Sequence, residues 1–309
     1  MKGLELSQKF YETYGAPMLH TQFAPFEEII AVGLCGSGSE CFDFDDEISR
    51  DHDFEPGFCL FLPGEDVIDR RTSFLLERAY AKLPKEFLGF TRAPLSPVGG
   101  NRHGVLRMDE FFAAKVGAAD GKLTVAQWLQ VPEFYLAEAT NGKVFRDDCG
   151  AFTAVRERLS QMPEDVRLKK LAGTLLLMVQ SGQYNYKRCL LHGEPGAAAL
   201  ARGEFVRAAL HAIFLLNRTY LPFYKWQFRA LRDLPLLSEL EPNLLQLLTK
   251  ADDDTAPAEI EAVAAAVIAA LQTQELTTQT CGDLEKHAYA VNDRITDPEV
   301  RNLHILSAV

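Results

Sequence analysis

The sequence predicts an α+β protein: a mixed β-sheet domain over residues 1–150, followed by an α-helical bundle over 151–309. Two observations carry this. Short strand-like apolar runs, at 29–35, 51–62, 104–108 and 143–145, are confined to the first half. From Phe152 onward the apolar residues recur at helical spacing, in segments too long for strands.

Taken in order, Leu4, Leu6, Phe10, Tyr11 and Tyr14 lay out an amphipathic helix over 4–14, and Pro17 and Pro25 bracket a connection. Ile29 to Cys35 reads as a buried strand. Asp51 to Leu62 reads as a second, with Pro56-Gly57 marking a bulge. A helix is expected over 66–83, with Phe74, Leu75, Leu76 and Ala79 on its buried side. Residues 84–104, rich in Pro and Gly, read as a loop of the kind that forms a lid or binds an acceptor. Gly104 to Met108 is a short strand, Asp109 suits the N-cap of a helix reaching Val116, and a further helix covers 124–139. Asn141-Gly142 is a turn signal before the last strand, which runs into Arg146-Asp147-Asp148. In the second half, Pro163 suits a helix's first turn, with Glu164 and Asp165 near its positive end. That helix should run to Ser181-Gly182, with Gly182 as its cap. More helices are expected over 197–217, 222–234, 243–249, 259–274 and 284–291, with a polar linker at 251–257.

Composition narrows the function. A hydrophobic share of 47% and a charged share of 24% are those of a soluble globular chain. No run of about 18 apolar residues predicts a membrane span, and the start MKGLELSQKFYETYG lacks a secretory core. Six scattered cysteines without a CxxC pair argue against zinc and suit a reducing, cytoplasmic setting. The net charge of −11 argues against broad nucleic-acid binding, which needs a basic footprint. Residues 40 to 55 hold eight carboxylates and one arginine, an excess that would be offset by metal ions or would attract a cationic acceptor.

The stretch from Gly36 to Asp53, GSGSECFDFDDEISRDHD, carries the chemistry. A glycine-serine turn after an apolar strand can aim backbone N–H groups at phosphate oxygens. Asp51 and Asp53, opening the second strand, share a face, and two carboxylates at that spacing suit Mg²⁺, which otherwise keeps water and substrate phosphates. These are the parts needed to hold a metal-bound nucleoside triphosphate. The bland alternative is a solvated acidic loop. An EF-hand, a P-loop and a GxGxxG motif are each excluded by missing glycine or lysine positions. His52, between the aspartates, would face the other way and serve the core rather than a metal.

The arrangement resembles the nucleotidyltransferase superfamily typified by polymerase beta and the aminoglycoside adenylyltransferases: an apolar strand, Gly-Ser, about a dozen residues, then Asp-x-Asp. Gly38-Ser39 fits best, with Ser39 twelve positions before Asp51, and Gly36-Ser37 is a second phase. Asp43 stands where that pattern often has a glycine. More widely, GSECF, SRDHDFEPGFCLFL, TNGKVFRDD, PEDVRLKKLA, QSGQYNYKRC and LLNRTYLPFYKW resemble an uncharacterised bacterial family, DUF4037, across residues 33–226.

The resemblance implies a nucleotidyltransferase domain with the helical part covering the nucleotide and acceptor. It also implies one or two Mg²⁺ ions, ATP as the simplest nucleotide, and a small-molecule acceptor. The superfamily's third carboxylate has several candidates here, Asp109 first, then Glu110, Asp147 and Asp148, with Glu204 as a base instead. Lys169 or Lys170 would touch triphosphate oxygens, as a helical-domain lysine does in similar adenylyltransferases. The competing reading is surface pairing of Lys169 with Asp165. Tyr184 would stack a base and Lys225 would reach a phosphate, although core packing also accounts for rings in both segments. A protein or RNA acceptor, or a nucleotide-binding module without catalysis, are the rival functions.

Overall fold

The computed structural model describes residues 1–51, 54–92, 102–250 and 254–309, with Arg50 and Asp51 described by backbone alone. The chain divides into two compact units. The first comprises Met1–Thr124 and Tyr135–Gln161, and the second comprises Val125–Phe134 and Met162–Val309.

The first unit is built on a four-stranded mixed sheet in the order β5-β2-β1-β6: β1 Ala31–Leu34, β2 Cys59–Leu62, β5 Gly104–Arg107 and β6 Lys143–Arg146. β1 runs antiparallel to both β2 and β6, and β2 runs parallel to β5. β1 and β2 are buried at every position, which is why both read as unbroken apolar runs. At the β1–β6 register shift, Gly33 lets the strands close: a Cβ there would stand 2.5 Å from the Lys143 carbonyl oxygen. β3 Glu86–Phe87 and β4 Phe90–Thr91 form a two-residue hairpin inside the segment expected to be loop. The rest of that segment, 93–101, lies outside the described residues.

The first helix does not stop at Tyr14. It runs through a π-helical turn, Tyr11–Gly15, into Ala16–Gln22, and Pro17 is tolerated because it falls in that helix's first turn. Phe10, Tyr11 and Leu19 pack with Ile30, Val32, Phe58 and Leu60 in one core. The helix Arg70–Ala81 starts at Asp69, whose carboxylate accepts the Thr72 N–H at 2.8 Å. It buries Leu76 and Tyr80 rather than Phe74 and Leu75, which are exposed. Tyr80 settles the face: its hydroxyl donates to the Phe58 carbonyl and accepts the Phe58 N–H, at 2.9 and 3.0 Å. The helix expected over 124–139 is two helices, Val125–Gln130 and Glu133–Thr140, separated at Pro132, which has no N–H to give. Unit 1 reaches past residue 150 because the helix Ala151–Leu159 belongs to it. Phe152 stacks on Phe61 at 4.0 Å, and Val155 and Leu159 close on Gly121.

The second unit is helical, with Glu164–Met178 and Pro195–Leu216 at its centre, and Ala256–Thr273 and Leu284–Asp293 beside them. These follow the expected periodicities closely. Gly182 is not a helix cap. It sits within a π-helical segment, Val179–Tyr186, where a Cβ would stand 2.3 Å from the Phe205 ring. Among the described residues one helix, Ala256–Thr273, is long and apolar enough to cross a membrane. Its Ile260, Val263, Val267 and Leu271 are buried in the core of this unit.

An ion-pair cluster ties helix ends together in this unit. Glu164 accepts from Arg167 at 2.6 and 3.0 Å and from Arg218 at 2.7 and 3.2 Å. Hydrogen bonding from Arg167 leads Arg218 in pulling its carboxyl down to about 2, against the opposing effect of burial. Its folded value is therefore below its unfolded one. The stabilisation is complete above the ordinary value of 4.5 and is lost as pH falls through about 2. Glu164 is 45% exposed, so solvent screening holds the contribution to about 1 kcal/mol. Glu164→Gln should lower Tm at neutral pH and flatten its fall between pH 4.5 and 2; a Tm–pH series parallel to wild type would contradict this role.

Candidate functional site

The turn expected to cradle phosphate lies where β1 ends. Gly36 has φ +129°, a backbone conformation that favours glycine. Gly36, Ser37 and Gly38 line a cavity of about 280 Å³ whose other wall supplies Arg102, just before β5, Arg107 at its end, and Glu110 and Lys115 of the helix Met108–Val116. Ser39 is not on that wall. Its carbonyl accepts the Phe42 and Phe44 N–H groups as the turn tightens into the 3-10 segment Glu40–Phe42. Of the two glycine-serine phases, the cavity therefore displays Gly36-Ser37, with Gly38 shared. A Cβ on Gly38 would stand 2.0 Å from the Glu40 carboxylate, which is itself buried and also lines the cavity.

The turn is held from behind by residues the sequence showed only as a turn signal. Asn141 Oδ1 accepts the Gly36 N–H at 2.9 Å, and Asn141 Nδ2 donates to the Gly36 carbonyl at 2.7 Å. The Gly142 N–H donates to the Cys41 carbonyl at 2.8 Å, and a Cβ on Gly142 would overlap the Leu34 carbonyl. Arg156 fastens this clasp, donating to the Thr140 and Asn141 carbonyls at 2.8 and 2.7 Å and to Cys35 Sγ. Burial raises the Cys35 thiol's pKa in spite of that guanidinium. The fixed unit is therefore the whole turn from Gly36 to Cys41.

The carboxylates need correction. Asp51 does not open a strand: it is the last residue of a 3-10 turn, Ile48–Asp51, and β2 begins only at Cys59. Pro56 and Gly57 separate the two, so the shared-face argument no longer applies to Asp51. Its side chain, His52 and Asp53 lie outside the described residues. Among the described residues no three His, Cys, Asp or Glu side chains gather as a metal set. Part of the acidic excess is structural: Asp45 accepts the Gly3 N–H at 2.9 Å, Asp46 accepts those of Ile48 and Ser49 at 3.0 Å, and Glu55 pairs with His103 at 3.1 Å. The donors that do face the cavity, Glu40 and Glu110, are hard oxygen groups of the kind Mg²⁺ takes. Asp109 lies in the helix's first turn, exposed, its Oδ1 accepting the Glu110 N–H at 2.8 Å; Arg107 holds the N-cap place. Glu110 takes the wall position instead. Asp147 accepts the Thr153 N–H, and Asp148 pairs with Arg146.

The lysines separate. Lys169 is fully buried, and its Nζ donates to Asn292 Oδ1, the Arg301 carbonyl and the Leu303 carbonyl at 2.7, 3.0 and 2.8 Å. It does not pair with Asp165, which accepts from Thr296 and the Asp297 N–H. Lys225 is exposed on the 3-10 turn Tyr224–Trp226, its Nζ 4.9 Å from the Trp226 ring centroid. Tyr184 is 56% exposed, with the Arg188 guanidinium over its ring at 5.0 Å.

The second unit has its own cavity, about 860 Å³, lined by Glu133, Lys170, Thr174 and His211 and by apolar residues that include Phe134, Leu221 and Phe223. Glu204, a candidate base, also lines it and pairs with Arg207. Glu133 Oε1 meets His211 Nε2 at 2.8 Å, and Oε2 accepts the Leu221 N–H at 3.2 Å. Burial works against the Glu133 charge, yet His211, Lys170 and that N–H together lower its pKa. The partners are 78 positions apart, so no sequence spacing pointed to them.

Residues 128–227 match the family described as Domain of unknown function (DUF4037), which supports that family assignment over about a third of the chain. Neither the curated proteins nor the solved structures give a significant match. The matched segment contains the Asn141-Gly142 clasp, Arg156, and Glu133, Lys170, Thr174, Glu204 and His211 of the unit 2 cavity.

Proposed function

We propose that this chain is a metal-dependent nucleotidyltransferase that moves a nucleoside monophosphate, most simply AMP from ATP, onto a hydroxyl of a small-molecule acceptor. The observation that carries the reading is the clasped Gly36–Gly38 turn, opening at the end of a buried strand onto a cavity with cationic residues opposite. Small residues there leave room for phosphate oxygens to approach the backbone, and the Ser37 hydroxyl adds a donor. Arg102, Arg107 and Lys115 supply positive potential, although Lys115 shares its charge with Glu138. Mg²⁺ held by Asp51 and Asp53 would neutralise triphosphate charge. Glu110 is the carboxylate suited to take the proton as the acceptor oxygen bonds to the α-phosphorus and pyrophosphate leaves.

The clasp gives the test. Asn141→Ala removes both bonds to Gly36 and frees the turn. Mg-ATP affinity should fall by about tenfold, the loss of one to two net hydrogen bonds' worth of preorganisation. Calorimetry of Mg-ATP with the folded variant decides it: wild-type affinity would mean that the turn does not hold the nucleotide.

A further inference from the structure

Lys170 is 4% exposed and lines the unit 2 cavity, yet its ammonium group has no acceptor at hydrogen-bonding distance among the described residues. Its nearest ionic partner, Glu133 Oε1, is 3.9 Å away. The ammonium is not among the fully buried atoms left without a partner, so it is open to the cavity, where a ligand oxygen can complete it. Its neighbour Lys169 shows the contrast, with all three protons placed on oxygens. Lys170 instead lines the cavity.

We propose that this cavity binds an aromatic monocarboxylate, its carboxylate on Lys170 and its ring among Phe134, Phe223 and Tyr224. Charge selects the anion. Lys170 and Glu133 cancel, as do the paired Glu204 and Arg207 farther along the lining, and His211, hydrogen-bonded to Glu133 and to Thr174, adds a positive charge only when protonated. The floor thus carries a net charge between zero and one, sufficient for a monoanion. A dianionic phosphate beside Glu133 would meet repulsion that this floor cannot offset. Shape selects the body. Phe134 packs edge-on to Phe223 at 5.6 Å, and Phe223 lies 4.5 Å from Tyr224, so the wall presents ring faces and edges. The volume of about 860 Å³ is that of a small-molecule site. This goes beyond the nucleotide reading and does not depend on it, since every residue named belongs to unit 2.

Calorimetric titration of the full chain with benzoate, phenylacetate and inorganic phosphate tests the proposal. Saturable binding of an arylcarboxylate at millimolar concentration or below is expected, with no displacement by phosphate. Lys170→Met keeps the stem and removes the charge, and should weaken binding at least about tenfold. Phe223→Ala, at a 38% exposed position, leaves the buried ions intact and should also weaken it. Failure of both carboxylates to bind, displacement by phosphate, or wild-type affinity in either variant would overturn the proposal. Should Lys170→Met not fold, Phe223→Ala and the phosphate competition still decide.

Discussion

Lys169→Met should destabilise the helical unit by about 3–5 kcal/mol and leave Mg-ATP affinity unchanged in the protein that remains folded. Methionine nearly matches the lysine stem but donates no hydrogen bond. The Asn292 Oδ1 and the Leu303 carbonyl would then face a sulfur, while the Arg301 carbonyl keeps only the Asn292 Nδ2 donor at 3.3 Å. Each buried acceptor left without its donor costs about 1–3 kcal/mol, partly offset because the ammonium no longer has to be desolvated. For a unit of this size the loss is a fall in Tm of roughly 10 °C. Lys169 fixes the last turns of the chain to the central helix, through contacts to residues more than 120 positions away. Thermal unfolding and calorimetry on one preparation separate the alternatives. Weaker nucleotide binding with an unshifted Tm would support the phosphate role that the sequence suggested.

The adjacent lysines show where sequence reading reaches its limit. Lys169 and Lys170 share one run of helix and one composition, and side chains one position apart on a helix point about 100° apart. Which of them meets backbone carbonyls and which meets space is decided by elements far along the chain, Glu133 and Asn292 to Leu303. The helices of the second unit were legible because their apolar faces repeat over several turns, as in Pro195–Leu216 and Ala256–Thr273. β1 was legible as an unbroken apolar run closed by glycine. The second strand reads too long in the sequence because Phe54 and Phe58 continue its apolar character. Phe58 instead packs against Phe10 and Tyr80, and Pro56-Gly57 breaks the chain before the ladder begins. Asn141 was visible as half of a turn signal. Its reciprocal bonds with Gly36 span 105 positions, a pairing that no local pattern encodes.

Asp51→Asn together with Asp53→Asn bears most directly on the central claim. The glycine turn supplies neutral donors and the cavity wall a few cations, but a triphosphate also needs a divalent ion, and that ion needs carboxylates. Asparagine keeps size and polarity while removing both negative charges, so the fold should survive: Asp51 ends a surface 3-10 turn, and the sheet starts only at Cys59. Calorimetric titration of Mg-ATP into wild type and the double variant, with Tm measured on both, is the deciding measurement. The nucleotidyltransferase account predicts saturable Mg-dependent binding by wild type and a loss of about a hundredfold or more in the variant at unchanged Tm. Equal Mg-ATP affinity in the two folded proteins would contradict it.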